Sequence, residues 1–231
     1  MKKVTDVLLA VGALLLLTGI AAAFFLAPEA IDPNTGKVVF HQKILYIHVP
    51  VAETSLVAFI VAAIFGGLFL AKRERKYDFL SMAGVEIGYT YAVLVMITGM
   101  LWDKAAWNTW WMWEPRLTTY FILILMYAGY FVMRGSISEE STKARFGAAY
   151  SIIAAVNVPL TFFAIRMLPE DAIFHPVMFG VTGVGLKGWM LASFLINMFG
   201  MVAFFTAILL IRYRTLLMNE ELDYIKEEIG G

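Results

Sequence analysis

The chain contains no cysteine. Thiol redox chemistry, thiolate-held iron–sulfur clusters and cofactor attachment through Cys-x-x-Cys-His are therefore excluded. Any metal-bearing group it handles must be ligated by histidine, and there are only three histidines. Charge is scarce too. Lys and Arg number 18 against 18 Asp and Glu, so no basic field points to nucleic acid. There is no Gly-x-x-x-x-Gly-Lys-Ser/Thr phosphate loop, which leaves any use of ATP to a partner. Internal repeats and low-complexity linkers are missing as well, and residues 1–231 read as one domain.

What the chain has in abundance is apolar surface. Hydrophobic residues make up 61% of it and the mean hydropathy is +0.76. A water-soluble domain of 231 residues could not cover that surface with polar groups, so lipid is the solvent for much of it. Six runs reach the roughly 20 residues that a helix needs to cross the hydrocarbon core. They lie at about 4–26, 48–71, 79–101, 117–133, 146–168 and 189–211. The expected fold is all-α, a polytopic bundle of six transmembrane helices. The first run follows Lys2 and Lys3 but is about twice the length of a signal-peptide core, which favours an uncleaved helix. Pro50 is expected near the first turn of the second helix, and Asn157 with Pro159 predicts a kink in the fifth.

With both termini cytoplasmic, twelve of the 18 basic residues fall inside, including the Lys72–Lys76 cluster. Six fall outside: Lys37, Lys43, Lys104, Arg116, Arg166 and Lys187. The positive-inside rule supports that orientation. An acidic, amphipathic tail from Met218 is then cytoplasmic.

In this topology the rare residue types collect on one side. His41, His48 and His175 lie in outer loops or at outer helix ends, with Trp102, Trp107, Trp110, Trp111, Trp113 and Trp189. The loop at 102–116 after the third helix holds five of these tryptophans, and the cytoplasmic side holds none. An interfacial aromatic belt would decorate both membrane surfaces. A helix lying on the outer leaflet is the simpler structural alternative. The functional alternative is a large, flat, apolar and partly anionic ligand: indoles stack on it, and Arg116 or Lys104 pairs with its carboxylates. His48 and His175 flank the tryptophan loop and could supply two axial nitrogens to one iron. His41 is the weakest candidate. Ionisable residues within spans are functional candidates by default. Glu53 and Arg166 are expected either to pair or to leave Arg166 for the ligand, and Glu86 has no assigned role.

The stretch Trp107-Asn108-Thr109-Trp110-Trp111-Met112-Trp113-Glu114-Pro115-Arg116 resembles the tryptophan-rich signature of haem-handling proteins of cytochrome c maturation. Six spans and this length are similar to the CcmC type, haem exporter protein C. Tyr46-Ile47-His48-Val49-Pro50 resembles the segment that bears the family's first histidine, and His175 occupies the place of the second. Two departures stand out: Asn108 where the family pattern has Gly, and Glu114 where it has Asp.

The resemblance implies a haem-presenting membrane subunit with no catalysis of its own, in the cell inner membrane. Haem b would sit at the outer face, ligated by His48 and His175 and contacted by Trp107, Trp110, Trp111, Trp113, Glu114 and Arg116. It would pass to a periplasmic haem chaperone, and the subunit would work beside an ABC-type complex and a small single-span helper. Two alternatives stay open. One is a cytochrome c synthase-type subunit acting directly on apocytochrome. The other is a transporter or scaffold subunit without its own cofactor.

Overall fold

The computed structural model describes residues 2–31, 36–164 and 185–230. Among these residues every regular element is a helix, and an isolated bridge joins Ile31 and Val38. The elements are α1 (Lys2–Phe25), a 3-10 turn (Phe40–Ile44), α2 (Leu45–Lys72), α3 (Arg75–Trp107), α4 (Pro115–Ser136), α5 (Glu140–Ala155), α6 (Asn157–Phe163) and α7 (Trp189–Gly230). Taking α5 and α6 as one kinked span, six helical segments are long and apolar enough to cross a membrane.

The helices overrun the apolar runs that define them, because helix formation continues until a specific signal stops it. After α2, Arg73 adopts a left-handed conformation (φ 58°) and its N–H closes on the Phe69 carbonyl 2.8 Å away. α4 starts at Pro115, whose fixed φ and missing N–H suit a first helical position. The Glu139 side chain caps α5, accepting from the backbone N–H of Ser141 (3.1 Å) and Thr142 (2.8 Å). The Ser141 and Thr142 side chains first, and these backbone donors after them, hold its carboxyl well below the usual range, at about 2. The expected kink is present as the break at Val156 between α5 and α6. Asn157 Nδ2 donates to the Thr119 carbonyl of α4 at 2.9 Å, tying the break to the neighbouring helix.

Pro50 is placed differently from expectation. The 3-10 turn feeds directly into α2 at Leu45, so Pro50 is the sixth helical residue rather than part of the first turn. His48 likewise lies within α2 rather than ahead of it.

Connections of two and three residues make α2–α3 and α4–α5 antiparallel hairpins. α1 runs antiparallel along α7, and at Gly12 the two backbones almost touch: a Cβ there would meet the Phe204 nitrogen at 2.6 Å. Lipid-embedded helices associate through such close packing, since lipid offers no hydrophobic drive. The core lies between α2, α3, α4 and α5, with α6 and α7 packed into it through Val158, Met201, Phe205 and Leu209. Within it Phe59 stacks on Tyr127 with ring centroids 3.7 Å apart. α7 has 42 residues, about 63 Å of helix against a hydrocarbon core of about 30 Å. Its acidic C-terminal stretch therefore projects well past the bilayer.

The two ends of the bundle differ in kind. At the end holding the α2–α3 and α4–α5 turns, Arg134 grips buried Asp78 through two bonds of 2.9 and 2.8 Å. Arg75 ties Asp78, Glu140 and Glu220 together at 3.0, 2.7 and 2.9 Å, linking α3, α5 and α7. Glu86, without a role from sequence, forms a two-pronged ion pair with Arg212 of α7. The opposite end holds all six tryptophans, His41 and His48.

Candidate functional site

The tryptophan segment is shorter as a loop than its sequence suggests. Ala105 and Ala106 carry α3 on to Trp107, so Trp102 and Trp107 belong to its last turns and the loop spans only 108–114. Their rings meet at 5.0 Å between centroids. Asn108 ends the helix in the left-handed region (φ 57°). Glycine reaches that region freely, and asparagine tolerates it better than most residues. The departure from the family's Gly is thus conservative in backbone terms. Lys104 helps to close the same end, donating to the Asn108 carbonyl at 3.2 Å and to its Oδ1 at 2.8 Å. Its ammonium also lies 5.8 Å from the centre of the Trp110 ring.

Beyond the cap, Trp111 packs edge-to-face against Trp113 (5.4 Å) and Phe121 (5.9 Å). Trp113 remains 73% exposed and Trp110 52% exposed. Glu114 is buried at the N-cap position of α4. Arg116 is half-buried in the first turn of α4.

Three of the residues singled out by sequence converge. His48, Trp111 and Arg116 line one half-open cleft, whose enclosed volume is about 40 Å³. Its walls are otherwise largely apolar: Ala52, Val95, Met96, Gly99, Met100 and Leu117, with Tyr120 at its floor. Trp107, Trp110, Trp113 and Glu114 do not line it. His175 lies outside the described residues, as does Arg166, the expected partner of Glu53.

The chemistry of this lining is specific. The Trp111 Nε1–H is buried and has no acceptor among the described residues. Leaving a buried donor unpaired costs about 1–3 kcal/mol, so this N–H calls for an acceptor from beyond the described residues. Beside it stand a cation and an imidazole. His48 Nδ1 lies 2.8 Å from Thr98 Oγ1 of α3. Gly99 makes the approach possible, since a Cβ there would meet His48 Cε1 at 3.3 Å. An acceptor-rich, flat, largely apolar ligand that offers a metal to a nitrogen matches this donor set.

The family model described as "Heme exporter protein C" matches residues 1–227. The chain belongs to that family. Among its relatives is the Heme exporter protein C of Rhodobacter capsulatus, 26% identical over 93% of this chain and 86% of the relative. A second is the "putative cytochrome c biosynthesis ccmC-like mitochondrial protein" of Arabidopsis thaliana, 29% identical over 95% of this chain and 81% of the relative. The Heme exporter protein C of Paracoccus denitrificans is 27% identical over 83% and 77% respectively.

Within this site the sequence does not single out Thr98 and Tyr120. Thr98 carried a faint signal, a hydroxyl one helix face away from the tryptophan run inside an otherwise apolar span. Lys43 was read only as an outer-loop charge. It is in fact buried, donating to the Ala23 carbonyl in the last turn of α1 and to the Ala27 carbonyl just beyond it (2.8 and 2.7 Å).

Proposed function

We propose that the protein binds haem b at the outer face of the cell inner membrane and presents it to a periplasmic haem chaperone during c-type cytochrome biogenesis. The observation that carries this reading is the convergence of His48, Trp111 and Arg116 on one cleft with apolar walls. Haem supplies what that donor set lacks: iron for an imidazole nitrogen, carboxylates for a guanidinium and an indole N–H, and an extended ring for apolar and aromatic contact. The names of the relatives point to the same cargo and the same pathway.

In this account His48 is one axial ligand and His175 the other. Arg116 pairs with a propionate, and Trp111 donates to a ligand oxygen. The cleft is open, so a large flat cargo sits partly outside it, where exposed Trp110 and Trp113 offer stacking faces and a docking surface for the receiving protein. Trp107 and Glu114 shape the segment from behind. Holding is reversible: the chaperone takes the haem by replacing these contacts, and the subunit itself performs no catalysis. ATP-dependent work falls to ABC-type complex subunits, assisted by a small single-span helper. The outward orientation rests on the twelve-to-six distribution of Lys and Arg, with both termini cytoplasmic.

Optical spectra of detergent-purified protein supplied with haem test the proposal, with wild type beside His48→Ala and His175→Ala. A low-spin, bis-histidine spectrum lost in each single variant is expected. Haem binding indifferent to both substitutions would overturn the ligation scheme, and no binding by the wild type would overturn the function.

A further inference from the structure

Thr98 of α3 lies in hydrogen-bond contact with the histidine of α2. Its Oγ1 has three close neighbours: the Leu94 carbonyl at 2.9 Å, the Val95 carbonyl at 3.1 Å and His48 Nδ1 at 2.8 Å. A threonine hydroxyl has a single proton to give. Carbonyl oxygens only accept, and two of them crowd the hydroxyl. If its proton pointed at His48 instead, two carbonyl oxygens would face the Thr98 oxygen at about 3 Å with no hydrogen between them. The favourable arrangement gives the proton to the helix backbone and leaves an oxygen lone pair for the imidazole. His48 Nδ1 then carries the hydrogen and donates it to Thr98. In a neutral imidazole so protonated, Nε2 bears the lone pair.

We infer that Thr98 is a positioning residue for haem ligation: by accepting from Nδ1–H it fixes the His48 tautomer and ring plane so that Nε2 is the ligating nitrogen. This inference rests on the haem-binding reading above and deepens it. Imidazoles that ligate metals characteristically donate their other N–H to an oxygen acceptor, which orients the ring and raises its basicity. Here the acceptor is a neutral hydroxyl held in place by its own helix, and it lies on a different helix from the ligand. Tight packing at Gly99 holds the ring within reach. The hydrogen bond therefore also ties the α2–α3 hairpin at the level of the cleft, so part of the ligand's geometry is set by helix packing rather than by a loop.

Loss of such an outer acceptor typically weakens a metal site by about 10- to 100-fold. Thr98→Val, nearly isosteric but without the acceptor, is expected to lower haem affinity by that factor. Thr98→Ser is expected to restore it. A readout that packing alone would not move comes from refilling the site. In His48→Gly, added imidazole should restore the low-spin spectrum at far lower concentration than 1-methylimidazole, which has no second N–H to donate. In His48→Gly/Thr98→Val the two additives should perform alike. Equal potency of imidazole and 1-methylimidazole with Thr98 intact would overturn the inference, as would wild-type affinity in Thr98→Val. If His48→Gly itself bound haem as wild type does, the haem-ligation reading would fall instead, and the two failures are thereby told apart.

Discussion

The two ends of this bundle handle polarity in opposite ways. At the end with the short turns, charged groups are brought into contact and satisfied: Asp78 with Arg134 and Arg75, Glu86 with Arg212, and Arg75 onward to Glu140 and Glu220. The tryptophan end instead keeps a buried indole N–H without an acceptor among the described residues, along with exposed aromatic faces and a cleft. On the proposed function, the first end holds the bundle together and the second receives the ligand, although the charged end also carries a wide open groove beside Arg75, Glu86 and Glu140. Substitutions should therefore separate stability from binding according to the end they touch.

The sharpest separation comes from Arg134→Ala. It removes the two-bond partner of the buried Asp78 carboxylate and leaves it only the single contact from Arg75. Breaking a buried pair on one side costs about 3–5 kcal/mol, and Arg75 offsets part of that. Thermal melts in detergent should show a large loss of stability, while the protein that remains folded binds haem with unchanged affinity. A selective loss of affinity without destabilisation would erase the division between the ends.

Trp111→Phe probes the opposite end. It keeps a six-membered aromatic ring and removes the N–H together with the pyrrole part of the indole. Haem affinity should fall by roughly tenfold or more, as expected for a hydrogen bond to a charged acceptor worth about 1.5–3 kcal/mol. The haem-free protein should be as stable as wild type or slightly more so, because an unpaired buried donor has gone. Parallel haem titration and melting distinguish this result from ordinary core damage.

A smaller effect is expected at Asn108, where the tryptophan segment turns. Asn108→Ala forces a Cβ-bearing residue without a compensating side-chain amide into the left-handed region, at about 1–2 kcal/mol. Asn108→Gly should be neutral in the same melts. The smallest effect belongs to Glu139, exposed at the α5 cap. Its carboxyl titrates at about 2, against an ordinary value of 4.5. A folded-state value below the unfolded one means that its contribution is complete above about pH 4.5 and lost as pH falls toward 2. Glu139→Gln should flatten that part of the stability profile and leave haem binding untouched.

Much of this arrangement is legible from local patterns. Each span announces itself by about 20 apolar residues, and the kink by Asn157 and Pro159 lying together. The clustering of Trp and His at one end follows once the spans are alternated. Boundaries fared worse because they depend on caps rather than hydropathy: Ala105 and Ala106 extend α3 through Trp107, and a 3-10 turn starts α2 ahead of His48. Long-range pairing was invisible for a different reason. Asp78 and Arg134 are 56 residues apart, and Glu86 and Arg212 are 126 apart. Nothing local distinguishes Arg134 from its neighbours in a count of cytoplasmic cations, yet it is buried in the core. Within the site, His48, Trp111 and Arg116 were identifiable by residue type, whereas Thr98 and the gap at Gly99 emerge only when α2 and α3 are packed together.

The central claim is that haem binds at the tryptophan end, and the chain carries its own ruler for that distance, since all six tryptophans lie there. Steady-state tryptophan fluorescence, followed while haem is titrated into the purified protein, tests it most directly. The account predicts strong, saturable quenching that tracks the low-spin absorbance and is lost with it in His48→Ala. Stoichiometric haem binding that left tryptophan emission nearly unchanged would place the ligand at the other end and contradict the account.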